Sequence, residues 1–189
     1  MSDDALAVAN LLERIGQLVR SDEQVGDLYP AQWAALRYLS RANRFSRNPM
    51  ALTRYLGTTR GTTSQTLIAL ERKGYVSRTA NPRDKRSVDL DLTKQGHAKL
   101  RGDPVARVAG VIEDALGRET AVARDHLSRI LRHLIDLNNA RMFGLCHTCR
   151  HFRRDATGSK ASPHRCSLLE ADLSDEDSEK ICVEHESAT

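Results

Sequence analysis

The chain has 189 residues, 40% of them hydrophobic but only 4% aromatic, and a formal net charge of +4. That length suits one ordinary domain with a small appendage, its core packed through leucine, alanine and valine. No run approaches eighteen apolar residues, which excludes a transmembrane helix, and the acidic start MSDDALAVAN lacks the features of a signal peptide, so the cytoplasm is expected.

Residues 4–20 carry Leu6, Val8, Ala9, Leu11, Leu12, Ile15, Leu18 and Val19. A helix this apolar around its circumference needs a large partner, and a second subunit is the natural one. Pro30 opens the next helix at a first-turn position where its missing N–H costs nothing, with Trp33, Leu36 and Leu39 facing inward. Arg41 to Asn48 reads as a polar, basic loop, and residues 49–56 as a short helix ending at Gly57.

The following helix should begin near Thr59 or Arg60 and stop at Lys73-Gly74. Thr63, Leu67 and Leu70 fall at i, i+4, i+7 and face the core. Thr62, Gln65 and Thr66 then lie opposite, with Arg60 at the N-terminal end. Small and amide side chains at the start of a helix suit a DNA major groove, where they read base edges or meet phosphates. A merely solvated face would carry Glu and Lys, and here Glu71 is the one acid.

Gly74 to Arg78 reads as a strand, Asn81-Pro82 as a turn, and Val88, Leu90 and Leu92 alternate with Asp89 and Asp91 as a half-buried return strand. Arg83, Lys85 and Arg86 crowd the tip between them. This is a β-hairpin wing whose basic tip suits a minor groove. Residues 37–101 hold 15 Lys/Arg against 4 Asp/Glu, a local +11 that forms the electrostatic footprint of a double-stranded DNA face. A helix from Thr93 to about Leu116, broken near Gly102-Asp103-Pro104, should follow the wing. A second, from about Glu119 to Met142, carries Leu127, Ile130, Leu131, Leu134 and Leu137 on one stripe.

Tyr29-Pro30-Ala31-Gln32-Trp33-Ala34-Ala35-Leu36, Thr62 to Gln65, Leu70 to Arg78, and Pro82-Arg83-Asp84-Lys85-Arg86 with Leu90 to Gly96 occur in the order that resembles the MarR family of transcription regulators. Asn81 departs from that pattern, where members usually carry aspartate. The resemblance spans about residues 5–142. It implies a mainly α, winged helix-turn-helix fold with a small β-hairpin wing, in a dimeric MarR-like architecture. It further implies a homodimer whose terminal helices interlock and whose two winged regions grip a pseudo-palindromic operator. Members are usually repressors released by a small molecule or by thiol oxidation. The expected divisions are an N-terminal dimerisation helix (1–28), the winged-helix region (29–100), C-terminal dimerisation helices (101–143) and a cysteine-rich extension (144–189).

That extension lies outside the family pattern. It holds Cys146, Cys149, Cys166 and Cys182, the four cysteines of the chain. In a reducing compartment, clustered cysteines point to metal or redox chemistry rather than structural disulfides. A C-x2-C turn lets two thiolates converge on one ion, and two remote cysteines complete either tetrahedral zinc or the ligands of an iron–sulfur cluster. Zinc is the first expectation, an iron–sulfur cluster the alternative, and metal-free thiols the third. His164 and His185 lie close enough in sequence to act as ligands or as donors behind them. With few apolar residues of its own, the segment should depend on its metal to fold.

Three functions compete. The leading one is a DNA-binding transcription regulator, most simply a repressor, whose cysteine centre senses redox state, metal or a reactive small species. A second makes the cysteine module a structural zinc clip or a docking surface for a protein. A third, a thiol or iron–sulfur enzyme, lacks support, since no Ser/His/Asp constellation, phosphate loop or HExxH occurs. The tail LSDEDSEK should start a capped acidic helix at Ser174.

Overall fold

The apolar residues in the middle of the chain decide where its core lies. The computed structural model describes residues 2–24, 26–81, 87–138, 140 and 142–188. Helices α1 (Asp3–Glu23), α2 (Pro30–Arg41), α3 (Pro49–Leu56) and α4 (Arg60–Arg72) precede a hairpin of β1 (Val76–Ala80) and β2 (Val88–Leu92). The strands pair antiparallel from Val76↔Leu92 to Ala80↔Val88. Trp33, Leu36 and Leu39 of α2 meet Leu52 of α3, Leu67 and Leu70 of α4, Val76 and Leu90 in one buried cluster. The expected strand alternation holds, with Leu90 fully buried at its centre.

Local chemistry sets the boundaries. The Asn48 side chain accepts from the Ala51 N–H at 2.9 Å to start α3, and Gly57, at φ 62, ends it in the left-handed conformation that glycine adopts without strain. Thr59 caps α4 by accepting from the Thr62 N–H at 3.1 Å. Behind the wing, a Cβ on Gly96 would fall 2.2 Å from the Tyr75 carbonyl, so only glycine lets the next helix lie this close.

That next helix is α5 (Lys94–Leu100), and a full break separates it from α6 (Val105–Leu116). Asp103 explains the break. Its carboxylate accepts from the Val105 N–H at 2.9 Å and from Arg37 of α2, whose guanidinium also reaches Glu23 at 2.5 Å. Burial works against ionisation of Asp103, yet the Arg37 hydrogen bond holds its carboxyl below the ordinary 3.8. One arginine thus ties the end of α1 and the start of α6 to the winged core. Helix α7 (Thr120–Leu137) is shorter than the expected run to Met142. The Asn138 side chain donates to the Leu134 carbonyl at 2.7 Å and closes it.

Helices α1, α6 and α7 keep their apolar faces outward. Leu11 is 61% exposed, Val111 62%, Leu131 57% and Leu137 78%. Among the described residues no helix is long and apolar enough to cross a membrane.

The C-terminal segment consists of short pieces: β3 (Gly144–Leu145), β4 (Phe152–Arg153), β5 (His164–Cys166), β6 (Ala171–Leu173), α8 (Asp175–Ser178) and β7 (Ile181–Cys182). β3 pairs with β7, and β4, β5 and β6 form a small antiparallel sheet. Ser174 caps α8 as expected, with Asp177 reaching back to the Ser174 N–H to complete a capping box. The segment sits on the winged region. Phe143 packs edge-on against Tyr38 and Tyr55, with ring centroids 5.8 and 5.2 Å away. The Asn43 N–H donates to the Ile181 carbonyl at 2.9 Å, and Ile181 and Val183 join the same buried cluster as α2. The loop from Arg41 to Asn48 is therefore a seat as well as a connection: Asn43 and Ser46 are fully buried in it.

Candidate reading face and cysteine cluster

Helix α4 buries Thr63, Leu67 and Leu70 and turns Arg60, Thr62 and Gln65 outward, with Thr66 half-buried beside them. The hydroxyls of Thr59 and Thr62 stand 2.9 Å apart, and the Thr66 hydroxyl donates back to the Thr62 carbonyl at 3.0 Å. These contacts fix the threonines while Gln65 stays exposed at the centre of the face. Glu71, the acid on this helix, pairs with Arg78 of β1 at 3.2 Å. Arg60 and Arg78 border a groove of about 220 Å³ between α3 and α4. The other proposed contacts, Arg83, Lys85 and Arg86, lie outside the described residues.

The four cysteines, far apart in sequence, border one cavity. Cys146 begins a short 3-10 turn, its N–H donating to the Lys180 carbonyl at 3.1 Å, and the Cys149 N–H returns to the Cys146 carbonyl at 3.0 Å. This turn holds the C-x2-C pair together. Cys166 ends β5 and Cys182 ends β7. All four are free thiols, and they share the cavity with His151, Phe152, Leu168, Leu173 and Glu184. The cavity is small, about 20 Å³.

Hydrogen-bond donors surround the sulfurs. Asn43 Nδ2 donates to Cys146 Sγ at 3.1 Å, and the Glu186 N–H donates to Cys149 Sγ at 3.4 Å. The Cys182 thiol is held below its ordinary pKa, first by the hydrogen bond from Cys146 and, against the cost of burial, by Asn43 and the Glu184 backbone. Cys146 moves the other way, because its proton serves Cys182 and because it is buried. Asn43 and Ser46 both belong to the loop between α2 and α3, where the Ser46 hydroxyl accepts from the Val183 N–H at 2.9 Å. The Oδ1 of Asn43 also accepts from the Phe45 and Ser46 N–H groups, at 3.1 and 3.0 Å, so one side chain shapes the loop and touches the sulfur.

The two histidines singled out from sequence do not border the cavity. His164 is buried against Phe152 at 4.9 Å; its Nδ1 accepts from the Asp155 N–H, and its Nε2 lies 3.0 Å from Asp175. His185 packs so closely on Gly144 that a Cβ there would meet its ring at 2.5 Å. Its Nε2 is 2.9 Å from the Thr148 hydroxyl, and burial lowers its pKa. His151 does border the cavity, and sequence reading passed over it, as it did Asn43 and Ser46. A histidine two residues past C-x2-C was the available signal for His151. For Asn43 and Ser46 there was none, since both lie about 100 residues upstream of Cys146. Among the described residues, no three His, Cys, Asp or Glu side chains stand close enough together to hold one metal ion as they are.

A larger groove, about 520 Å³, opens where the C-terminal segment meets α3 and the base of the wing, with Arg44, Arg54, Asn81, Asp89, Leu169 and Glu184 among its lining.

Residues 27–87 match the model of the MarR family. No curated protein matches the sequence. Among solved structures, FabT of Streptococcus pneumoniae in complex with DNA is 25% identical, with a TM-score of 0.57 over 71% of this chain and 99% of that one. A MarR transcriptional regulator from Methanosarcina mazei Go1 is 23% identical with the same TM-score, over 72% and 99%. The S. aureus MepR–DNA complex is 19% identical with a TM-score of 0.56, over 71% and 99%. The family model spans α4 and the first wing strand, and the fold is similar to that of solved MarR regulators.

Proposed function

We propose that the chain is a sequence-specific DNA-binding transcription regulator, acting in the cytoplasm as a homodimer on a pseudo-palindromic site and most simply as a repressor. The observation that carries this reading is the outward face of α4, where Arg60, Thr62 and Gln65 are exposed on a helix start rigidly capped by Thr59, within a stretch of local charge +11. Small side chains let the helix enter a major groove, and the amide of Gln65 can pair with an adenine edge through two hydrogen bonds. Arg83, Lys85 and Arg86 would follow the backbone or the minor groove. The likeness to FabT in complex with DNA supports the docking mode.

The outward apolar faces of α1, α6 and α7 support the homodimer, because one small winged region has nothing with which to cover them. Two copies would read half-sites about 10 bp apart. The cysteine segment is read as the sensing module, and the 520 Å³ groove beside it is of a size to take a small effector. A structural clip is the second reading, favoured by the way Ile181 and Val183 complete the winged core.

Selection from a pool of random duplexes, followed by titration at several salt concentrations, tests the proposal. Gln65→Ala should relax preference at one base position by about 1–3 kcal/mol. Arg83→Ala and Arg86→Ala should weaken binding to all sequences and flatten the salt dependence. Unchanged binding in all three variants would remove this docking mode.

A further inference from the structure

We propose that Cys146, Cys149, Cys166 and Cys182 bind one zinc ion as thiolates, and that this ion staples the two small sheets of the C-terminal segment to each other and, through Asn43, to the loop between α2 and α3.

The first observation is how the segment distributes its thiols. The C-x2-C turn lies between the two sheets. Cys146 follows β3, whose partner strand β7 carries Cys182 opposite Gly144. Cys149 precedes β4, where Phe152 lies opposite Cys166 on β5. Each sheet therefore brings one cysteine of the turn and one from a strand, and all four border a single cavity. Strands β3, β4 and β7 have two residues each, too few to hold by backbone pairing alone. Bonds from both pairs of thiolates to one ion would cross-link the sheets at the point where that pairing is thinnest.

The second observation is size. The cavity is about 20 Å³, little more than one water-sized body needs. Zinc holds four thiolates at about 2.3 Å, which sets the sulfurs about 3.8 Å apart. Cys146 already donates to Cys182 across the cavity, so one edge of that tetrahedron is in place. A space this small suits a single ion, and an all-sulfur tetrahedral donor set selects zinc. As free thiols, no three of the described donors stand at ligating distance from one point. Loading therefore turns the Cys149 and Cys166 side chains onto the contacting pair, across a space about one water wide. Each thiol releases its proton, four protons leave, and four thiolates bonded to one divalent ion make the centre doubly negative.

The third is the set of donors that answers this charge. Asn43 Nδ2 reaches Cys146 at 3.1 Å, the Glu186 N–H reaches Cys149 at 3.4 Å, and the Glu184 backbone reaches Cys182. His151 Nε2, buried and without a hydrogen-bond partner among the described residues, borders the same cavity and can donate to a thiolate. Donors of this kind orient metal ligands, and they bind charged sulfur more firmly than a neutral thiol. Of the four, Asn43 alone comes from outside the C-terminal segment. Its Oδ1 holds the Phe45 and Ser46 N–H groups, and the Ser46 hydroxyl accepts from the Val183 N–H next to Cys182. The ion and the loop thus hold one another in place.

The site stands on the C-terminal segment and its seat, and holds whether or not α4 reads DNA. Full-length protein purified under reducing conditions, with loose metal removed by a mild chelator, should carry one zinc per chain and no acid-labile sulfide. Absence of zinc, or iron with sulfide in its place, would overturn the proposal. Cobalt exchanged for zinc should show the sulfur-to-metal charge-transfer absorption of four thiolates, and a spectrum of fewer would overturn the four-sulfur set. Cys166→Ser should lose the stoichiometric zinc; a full equivalent retained would count against the site equally. Stripping zinc from the wild type with a strong chelator should open the stretch from Arg150 to Arg165 to trypsin while the winged region stays protected. A segment just as resistant without zinc would overturn the staple. Asn43→Ser leaves a hydroxyl that can accept from the loop N–H groups but is too short to reach Cys146. It should weaken zinc binding by about 10–100-fold, and unchanged affinity would overturn the role of Asn43.

Discussion

The winged region and the helical arms are built from similar apolar residues and end in opposite situations. In the winged region Leu36, Leu52, Leu67, Leu70 and Leu90 are buried to 1% exposure or less. In the arms Leu11, Leu131, Leu134 and Leu137 are at least half exposed. The C-terminal segment, with far fewer apolar residues, sides with the winged region, because Ile181 and Val183 enter its core. Amphipathic periodicity says which face of an element is apolar. It does not say whether that face closes within the chain or on another one.

The sharpest way to press the comparison is to remove equal apolar groups from each side. Ile181→Ala empties a fully enclosed site and should cost about 2–5 kcal/mol, lowering the melting of the winged region together with that of the cysteine segment. Separate transitions for the two would show that the segment is an independent module.

A smaller effect is expected where the arms join the core. Arg37→Ala leaves buried Glu23 and half-buried Asp103 without their guanidinium and should cost about 1–3 kcal/mol. The acid limb checks the same contact. Because the folded pKa of Asp103 lies below 3.8, its contribution is present above that value and fades as pH falls through the folded pKa. Denaturation curves followed below pH 4 should therefore show a steeper loss for the wild type than for Arg37→Ala. Parallel curves would mean that the bridge contributes little.

The winged region was legible because each of its signals is local. Pro30 and Pro49 open helices, Gly57 and Gly74 close them, and the alternation at Val88, Leu90 and Leu92 marks the strand. The break near Asp103 could be read from Gly102-Asp103-Pro104, but its anchor could not, since Arg37 is 66 residues away. The same limit governs the cysteine cluster. Its four thiols were visible as a spacing, while the seat they share with Asn43 and Ser46 is a contact between distant parts of the chain, 103 residues apart for Asn43 and Cys146. Spacing in sequence suggested His164 and His185 as neighbours of the cysteines; tertiary placement puts His151 at their cavity instead.

The claim that the arms are closed by a second copy has a direct measurement. Sedimentation equilibrium of the wild type and of Leu131→Glu, a substitution on a face 57% exposed in the single chain, separates the two possibilities. A wild-type dimer that Leu131→Glu converts to monomer or unfolds is the predicted result, because the charge would be buried without a partner only if that face is covered. A monomeric wild type, or a dimer indifferent to Leu131→Glu, would contradict it.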